Sequence, residues 1–455
     1  MIDLYTSPTR WLKRFFFLLT VMLVVIVGWT AFARFEEAQR EDAGFTQVAN
    51  RDAIFWLMQG PPNNRYIPCS IHYRFDEPVD PDLLLSGLKA MAAQYEMLRR
   101  NVVEFDGLPY WQTVEPDWDR NFHVLGPDED LNVLRVAADF ELSQPAQEGQ
   151  GIPLFRAYLS ADRRELVFIW HHVISDLEGM FNKHALDLFE LDDERTQFGY
   201  QLVSSDSGEA RDQPENSLRL GALFDGEERP LGFLGTDFVV EQIVLPIKDV
   251  ALAELGKRAG LPMSDIFSFI TVRAVTIYHQ NDSAEDREKI TRVVSPLSLR
   301  KSSLENDEGN NRASKSFPIV FPLESVGEMH DRLATLPSST ISYEDSGRIM
   351  KRARRFSFIE AAMREVAMPD YISNYFPLAD GPLMIGNAKV VRHDLRVPMV
   401  PYERVKFAWS NYDGEVELFL HIDSKLVDTG RMVTAYQQAS EDVLAFLRSN
   451  VKANE

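Results

Sequence analysis

The chain has a single cysteine and no excess of positive charge, and each absence excludes a class of protein. Cys69 is the only cysteine among 455 residues, so an intrachain disulfide and a thiolate metal cluster are both excluded. The chain has 69 acidic and 48 basic residues, which gives a formal net charge of −21. Proteins that bind polyanions use a positive field to release counterions, so we expect no nucleic-acid partner.

Long apolar runs are scarce, which excludes a protein with many membrane spans. The chain is 45% hydrophobic and 26% charged, near the average for soluble globular proteins. Its length favours about two or three structural units. The exception is the uncharged stretch 15–33, which is long enough to cross a bilayer as a helix. The sequence therefore predicts one transmembrane anchor followed by a large folded body.

The charges around this stretch predict its orientation. Arg10, Lys13 and Arg14 precede it, whereas acidic residues are frequent in the connector that follows, 34–49. The basic side of a membrane helix usually faces the cytoplasm, so the N-terminus is expected inside and the body outside. A cleaved signal peptide is the alternative, because residues 31–33 match the small-residue cleavage pattern. The apolar run is longer than a typical signal core, which favours the anchor.

Changes in composition suggest where the chain divides. Residues 1–14 form a basic N-terminal segment before the anchor. Residues 201–217 are rich in Ser, Asp, Glu, Gly and Pro and have no apolar periodicity, which is typical of a linker. We therefore predict an N-terminal lobe over 50–217, which includes this linker, and a C-terminal lobe over 218–455.

Local patterns in the N-terminal lobe predict both helices and strands. Asp80-Pro81 is suited to begin an amphipathic helix that runs to about Leu98. Residues 102–114 resemble a hairpin around an Asp-Gly turn. The run 165–172 is nearly all apolar and is expected to be a strand buried on both faces. The next residues, 175–178, have the form of a capping box that opens a helix.

The C-terminal lobe is also predicted to alternate strands and helices. We expect strands at 237–245 and 290–294, and helices at 249–257 and 264–279. The polar stretch 301–316 is expected to be a solvated loop. The sequence thus predicts a mixed helix-and-sheet protein.

The histidine pair at the end of the apolar strand is the strongest candidate for chemistry. A base that deprotonates an alcohol needs a pKa near neutrality, which imidazole has. We predict that His172 is this base, kept neutral by the partial positive charge of the helix that follows. The N–H groups of that helix are also candidates to hold an oxyanion. His171 is expected to orient the turn, and Asp176 to brace the site by pairing with Arg300.

Two simpler interpretations of the same residues stay open. A His-His pair at the end of a strand often serves only packing or hydrogen bonding. Alternatively, His171, His172, Asp176 and His184 are the residue types that bind zinc. We expect no metal, because adjacent side chains on a strand point to opposite faces.

The run His171-His172-Val173-Ile174-Ser175-Asp176 resembles the HHxxxDG signature of the condensation-domain and chloramphenicol-acetyltransferase-like acyltransferase superfamily. The chain departs from the signature at Leu177, where the family has glycine. Shorter segments extend the resemblance over most of the chain. The wax ester synthase/diacylglycerol acyltransferase branch is suggested by residues 296–300, 311–312, 317–322, 373–374, 381–382, 386, 398 and 410–414.

The resemblance implies an α+β fold of two chloramphenicol-acetyltransferase-like lobes, each a mixed sheet flanked by helices, around a central tunnel. It implies direct acyl transfer from a thioester, with His172 as base, Asp176 as a structural partner of an arginine, and no acyl-enzyme or metal. Arg300, Asn374 and Ser410 are the predicted substrate-binding residues. Arg300 is equally compatible with an exposed basic pair, and the other two with turn and cap roles.

These observations predict a membrane-anchored acyltransferase that moves a fatty acyl group onto a hydroxyl or amine acceptor, with ester formation favoured. Acyl-coenzyme A or another acyl carrier is expected as co-substrate, with no permanently bound cofactor. Acyl-coenzyme A is cytoplasmic, whereas the charge rule places the body outside, so either the donor or the orientation differs from the simple expectation. Because of Leu177, a catalytically silent lipid-binding or interaction subunit is the alternative.

Overall fold

A computed structural model describes most of the chain beyond the N-terminal segment. The described residues are 20, 35–58, 68–181, 188–189, 238–290, 292–298, 310, 312–335, 340–354, 370–377, 382–399 and 403–453. The predicted segment 1–14, the anchor 15–33 apart from Thr20, and the linker 201–217 therefore lie outside them.

Among the described residues, no single helix has the length and hydropathy of a membrane span. The helices Asp249–Ala259 and Met263–His279 meet the criterion only jointly, across a bend of 89°.

The described residues form strands and helices that alternate along the chain, numbered here in chain order. The strands are β1 (Thr46–Gln47), β2 (Pro68–Phe75), β3 (Arg100–Phe105), β4 (Leu108–Thr113), β5 (Phe122–Val124), β6 (Phe155–Leu159), β7 (Glu165–His171), β8 (Val239–Lys248), β9 (Arg292–Ser298), β10 (Arg312–Pro318), β11 (Thr340–Ser342), β12 (Tyr371–Pro377), β13 (Met384–Ile385), β14 (Ala388–Arg396), β15 (Val405–Tyr412) and β16 (Glu415–Ile422). The helices are α1 (Asn50–Leu57), α2 (Pro81–Gln94), α3 (Trp118–Asn121), α4 (Leu131–Leu142), α5 (Asp249–Ala259), α6 (Met263–His279), α7 (Ala284–Lys289), α8 (Val326–Ala334), α9 (Tyr343–Arg354) and α10 (Thr429–Ala453).

The strands pair into two large mixed sheets and one small one. The first large sheet has the order β13-β14-β2-β7-β6-β5, and the second has the order β11-β10-β9-β12-β15-β16-β8. A three-stranded sheet, β1-β4-β3, lies apart from both. Most neighbours are antiparallel, but β5–β6, β9–β12 and β12–β15 are parallel. This is the mixed α+β architecture that the sequence predicted.

The sheets do not follow a simple division of the chain at residue 217. Strands β13 and β14 come from the second half of the sequence, yet β14 pairs with β2 in the first large sheet. The second half of the sequence therefore contributes the β13–β14 hairpin to the first large sheet. We call this sheet with the helices beside it the first lobe, and the second large sheet with its helices the second lobe. The proposed boundary itself lies outside the described residues and stays a prediction.

Several local predictions are confirmed. Helix α2 begins with Pro81, and its N-cap Asp80 accepts a hydrogen bond from the backbone of Asp82. Strands β3 and β4 form the expected hairpin, in which Asp106 and Gly107 adopt positive φ values of 52° and 72°. In β7, the five residues 166–170 are at most 1% exposed, as a strand buried on both faces requires.

The predicted solvated loop at 301–316 is wrong over its last part. Residues 312–318 form β10, and Asn310, just before it, is completely buried. Polar strand residues are tolerated here because each face offers a partner: Lys315 pairs with Asp265 on one side, and Arg312 pairs with Asp176 on the other. These partners are distant in sequence, so local composition did not reveal the strand.

Candidate active site

The site begins where β7 ends and the chain turns. The backbone N–H of His171 donates to Leu154 O (2.9 Å), and that of Ile174 donates to His171 O (3.1 Å). The indole Nε1 of Trp170 donates to Ser175 O (2.9 Å). These bonds fix the turn, so that the two consecutive histidines have different surroundings.

His171 is enclosed by the turn. Its side chain is completely buried, and its ring lies 5.0 Å from the Trp56 ring. Nδ1 accepts a hydrogen bond from the backbone N–H of Val173 at 3.0 Å, so this nitrogen carries no proton. Burial lowers the pKa of His171 to about 3, and the neighbouring His172 acts in the same direction. These are the contacts of a residue that shapes the turn.

His172 lies outside the strand and keeps part of its surface accessible. Its ring stacks on Phe55 of α1, with centroids 3.7 Å apart and an angle of 8° between the planes. Nδ1 is enclosed and has no hydrogen-bond partner within the described part of the chain. The imidazole is therefore oriented by ring stacking.

The surroundings of His172 keep its ring neutral at physiological pH. Desolvation by the enclosing protein lowers its pKa to about 4, and the positive charges of Lys406 and Arg312 add to this effect. The negative charge of Asp176 acts in the opposite direction. A neutral ring agrees with the expectation, but a pKa of about 4 is lower than the near-neutral value expected of the base, and its main cause is burial and not the helix N-terminus.

Asp176 caps the helical turn that begins at Leu177 and binds an arginine from the second lobe. Its Oδ1 accepts from the backbone N–H of Gly179 at 2.7 Å, and its Oδ2 lies 3.1 Å from Nε of Arg312. Glu178 contacts the same guanidinium at 2.9 Å. Both carboxylates and the arginine are buried, so this cluster joins the two lobes beside His172.

Two sequence predictions about this turn need revision. The capping box at Ser175 and Glu178 is wrong, because Asp176 is the cap and Glu178 binds Arg312. The bond from Gly179 also occupies one of the N–H groups suggested for an oxyanion. Arg300, the predicted partner of Asp176, lies outside the described residues; the arginine found on Asp176 is Arg312.

Helix α1 reaches His172 because it packs closely against α9 of the second half. The side chain of Asn50 donates to Glu344 at 2.5 Å, and the Phe55 ring meets the Tyr343 ring at a centroid distance of 5.5 Å. Gly347 permits this approach, since a Cβ there would lie 1.7 Å from the carbonyl oxygen of Asn50. Helix α1 is thus held between the lobes.

A Gly347→Ala substitution is expected to push α1 away from α9. The clash is with backbone atoms, so no change of rotamer relieves it, and overpacking of this kind costs about 1–3 kcal/mol. Denaturant unfolding measures the loss. Gly327→Ala in α8 is the matched control, because its Cβ would meet only the Phe446 ring at 3.6 Å. Equal stability of the two variants would contradict this account of the packing.

The predicted substrate-binding residues Asn374 and Ser410 lie on the second sheet. Alternation along β12 and β15 places them on the same face as Phe376 and Ala408, which belong to the core of the first lobe. Ser410 is completely buried, and its Oγ lies 3.1 Å from Nε2 of His393 on β14. Asn374 is 6% exposed, and its Oδ1 has no hydrogen-bond partner among the described residues. Their substrate-binding role stays a prediction.

The expectation that the site holds no metal stays a prediction. In the described part of the chain, no group of three or more His, Cys, Asp or Glu side chains is placed to hold an ion. His184, which the zinc alternative requires, lies outside the described residues. The residues that sequence reasoning missed are Phe55, Asn310, and Arg312 as the partner of Asp176.

Comparison with known proteins identifies the fold. No family model and no curated protein matches the sequence. The starter condensation domain of rhizomide synthetase RzmA, a mutant in complex with C8-CoA and Leu-SNAC, is similar in structure, with a TM-score of 0.56 at 14% identity over 90% of this chain and 96% of that one. The first condensation domain of the calcium-dependent antibiotic synthetase, in complex with substrate analogue 3a, gives 0.54 at 15% identity over 90% and 96%.

The fold therefore defines the class: a two-lobed protein with the condensation-domain fold, as the histidine motif predicted. A further crystal structure of the first condensation domain of the CDA synthetase agrees, with a TM-score of 0.55 at 15% identity over 88% of this chain and 96% of that one. At these identities the likeness concerns the fold alone.

Proposed function

We propose that this protein is a membrane-anchored acyltransferase in which His172 is the general base. The observation that carries the proposal is the placement of a neutral, partly accessible imidazole between two lobes of the condensation-domain fold. Phe55 holds the ring, and Asn310, which precedes β10, donates to His172 O at 2.9 Å. Both lobes thus contribute to the position of one base.

The reaction requires one proton to leave the acceptor and return to the donor. His172 takes the proton from the acceptor O–H or N–H while the acceptor atom forms a bond to the thioester carbonyl carbon. The C–S bond then breaks, and the imidazolium gives its proton to the leaving thiolate. The negative charge of Asp176 favours the transient positive charge on the ring and opposes the burial that lowers the pKa of His172.

The donor is proposed to be an acyl thioester such as acyl-coenzyme A. The complex of the rhizomide synthetase domain with C8-CoA and Leu-SNAC supports this choice, because that fold accommodates an acyl-coenzyme A. For the acceptor we propose a lipid-like hydroxyl compound, as in the wax ester synthase/diacylglycerol acyltransferase branch that short segments resemble. An amine acceptor is the second choice.

The proposal is tested by incubating the full chain in detergent with labelled acyl-coenzyme A and separate acceptors: a long-chain alcohol, a diacylglycerol and an amino acid thioester. Accumulation of labelled ester supports the preferred reaction, and labelled amide supports the second choice. If acyl-coenzyme A stays intact with every acceptor, this donor is wrong, and an acyl lipid donor is tested in the same way.

We further propose that residues 15–33 anchor the protein, with the folded body outside the cytoplasm. Basic residues before this stretch and acidic residues after it support the orientation. Reporter fusions at the C-terminus decide the orientation. A reporter enzyme that is active only in the cytoplasm should be inactive when it is fused to this C-terminus. Cytoplasmic reporter activity would reverse the orientation and remove the conflict with acyl-coenzyme A as donor.

A catalytically silent lipid-binding or interaction subunit is the second candidate. Leu177 favours it, since this side chain replaces the glycine of the motif and is buried in the core of the first lobe at 2% exposure. The Phe55 ring also covers one face of His172. Unchanged lipid products in cells that carry the His172→Ala variant would support this candidate.

A further inference from the structure

Asp52 is a buried carboxylate close to the candidate base, and neither the histidine motif nor the mechanism uses it. It lies in the first turn of α1 and is 4% exposed. Its Oδ1 accepts from both the backbone N–H and the side-chain Nδ2 of Asn310, at 2.7 and 3.0 Å. The two residues are far apart in sequence, so these bonds tie α1 to the start of β10.

Asn310 passes this constraint on to the histidine. The same Nδ2 that donates to Asp52 also donates to the carbonyl oxygen of His172 at 2.9 Å. Both partners are acceptors, so the amide must present its NH₂ group to them, and its orientation is determined. Asn310 is completely buried, which makes the loss of either bond costly.

Asp52 also acts on the ring of His172 through its own helix. Phe55 follows one turn later in α1 and carries the ring that stacks on the imidazole. A single carboxylate is therefore connected to the main chain of His172 through Asn310 and to the ring of His172 through α1.

We propose that Asp52 is a positioning residue for His172, and that protonation of its carboxyl group weakens this positioning. The inference rests on the proposed function for its catalytic consequence, but the contacts exist independently of it. A carboxylate accepts hydrogen bonds more strongly than a neutral carboxyl group, so the Asn310 bonds depend on the charge of Asp52.

Burial and the polar and charged groups around Asp52 place the protonation of its carboxylate in an accessible pH range. Burial raises the pKa of Asp52 to about 6; the Asn310 bonds and Arg51 lower it, and Asp176 raises it. Lys351 of α9 is also close to this carboxylate: burial lowers the pKa of that lysine, and the negative charges of Glu344 and Asp52 oppose the effect. Glu344 also accepts a hydrogen bond from the backbone N–H of Arg51. His172, with a pKa of about 4, stays neutral while Asp52 titrates.

The test compares Asp52→Ala, Asp52→Asn and the control Asp139→Asn in the full chain. Asp139 on α4 is also buried, and its pKa is also raised to about 6 by desolvation, but its charged neighbours are Arg396 and Arg135. Two quantities are measured: the rate of acyl transfer between pH 5 and 8, and the hydrogen exchange of the backbone amides at 50–57 and 171–176.

Asp52→Ala is expected to lower kcat about 100-fold, because the base is misplaced, and to leave KM for acyl-coenzyme A within about threefold. Asp52→Asn should lose about five- to tenfold at pH 8, since a neutral acceptor forms weaker bonds. The rate of Asp52→Asn should change little between pH 7 and pH 5. The wild-type rate should fall towards that of the variant as the pH is lowered over the same range. Asp139→Asn should keep the wild-type pH profile.

Hydrogen exchange separates this inference from the proposed function. Faster exchange at 50–57 and 171–176 in Asp52→Ala, with near wild-type exchange in Asp52→Asn at pH 8, supports the positioning role even if no acyl transfer is detected. Wild-type exchange at 171–176 in Asp52→Ala overturns it. A wild-type pH profile in an active Asp52→Asn variant overturns the role of the charge.

Discussion

A His172→Ala substitution is expected to reduce acyl transfer about 1,000-fold while the protein stays folded. General base catalysis contributes about 10²- to 10⁴-fold, and no other neutral imidazole is held at this turn with part of its surface accessible, because His171 is completely buried. The loss should appear in kcat, since the base acts on the acceptor proton and does not hold the acyl donor. Initial rates at saturating acyl-coenzyme A measure it.

His123→Ala is the matched control for this experiment. His123 lies in β5, where its ring contacts Glu129 at the surface, 2.9 Å away. Its replacement should leave both kcat and the unfolding temperature unchanged. Wild-type transfer by His172→Ala, with the same products, would show that another group removes the proton.

The Arg312→Ala substitution is expected to have the largest effect on stability. It leaves the buried carboxylates of Asp176 and Glu178 without the guanidinium that bridges them. Removing one partner of a buried ion pair costs about 3–5 kcal/mol, because desolvated charge loses its compensation. Urea unfolding should therefore show a much lower midpoint, and acyl transfer should fall with it, since this cluster joins the lobes beside His172.

Further variants separate loss of charge from loss of shape. Arg312→Lys keeps the charge but cannot reproduce the planar contact with both carboxylates, so it should recover only part of the stability. Arg312→Met combined with Asp176→Asn and Glu178→Gln removes all three charges and should be more stable than Arg312→Ala. If Arg312→Ala unfolds at the wild-type midpoint, the buried cluster does not hold the lobes together.

An exposed ion pair provides the comparison. Lys248 and Glu415 meet at 2.8 Å between β8 and β16, with side-chain exposures of 65% and 49%. Solvent screening makes such pairs weak, so Lys248→Ala should leave the urea midpoint unchanged. The contrast would show that burial, and not the number of ion pairs, determines the stability of the lobe junction.

Local patterns were sufficient for the elements that carry His172. Strand β7 was predicted because its apolar run suits a strand covered on both faces, and the turn after it placed the histidine pair at the strand end. Helix α2 and the β3–β4 hairpin followed from Asp80-Pro81 and from the Asp-Gly turn. In each case the informative pattern lies within a few consecutive residues.

The neutral state of His172 was predicted from the helix N-terminus, whereas its main cause in the structure is desolvation. A helix N-terminus can be inferred from a capping pattern, but desolvation depends on which side chains surround the ring. Phe55 precedes His172 by more than a hundred residues, and Lys406 and Arg312 belong to the second lobe. Their approach is a property of the packed lobes.

The sequence by itself determined that an imidazole follows a buried strand, that an aspartate follows it four residues later, and that the chain builds a mixed fold without disulfides. Only the tertiary structure decided that Asp176 meets Arg312, that Phe55 orients His172, and that Asp52 reaches the histidine through Asn310. Those contacts join residues more than a hundred positions apart. They depend on how the two halves of the chain pack together, for which no local periodicity provides a signal.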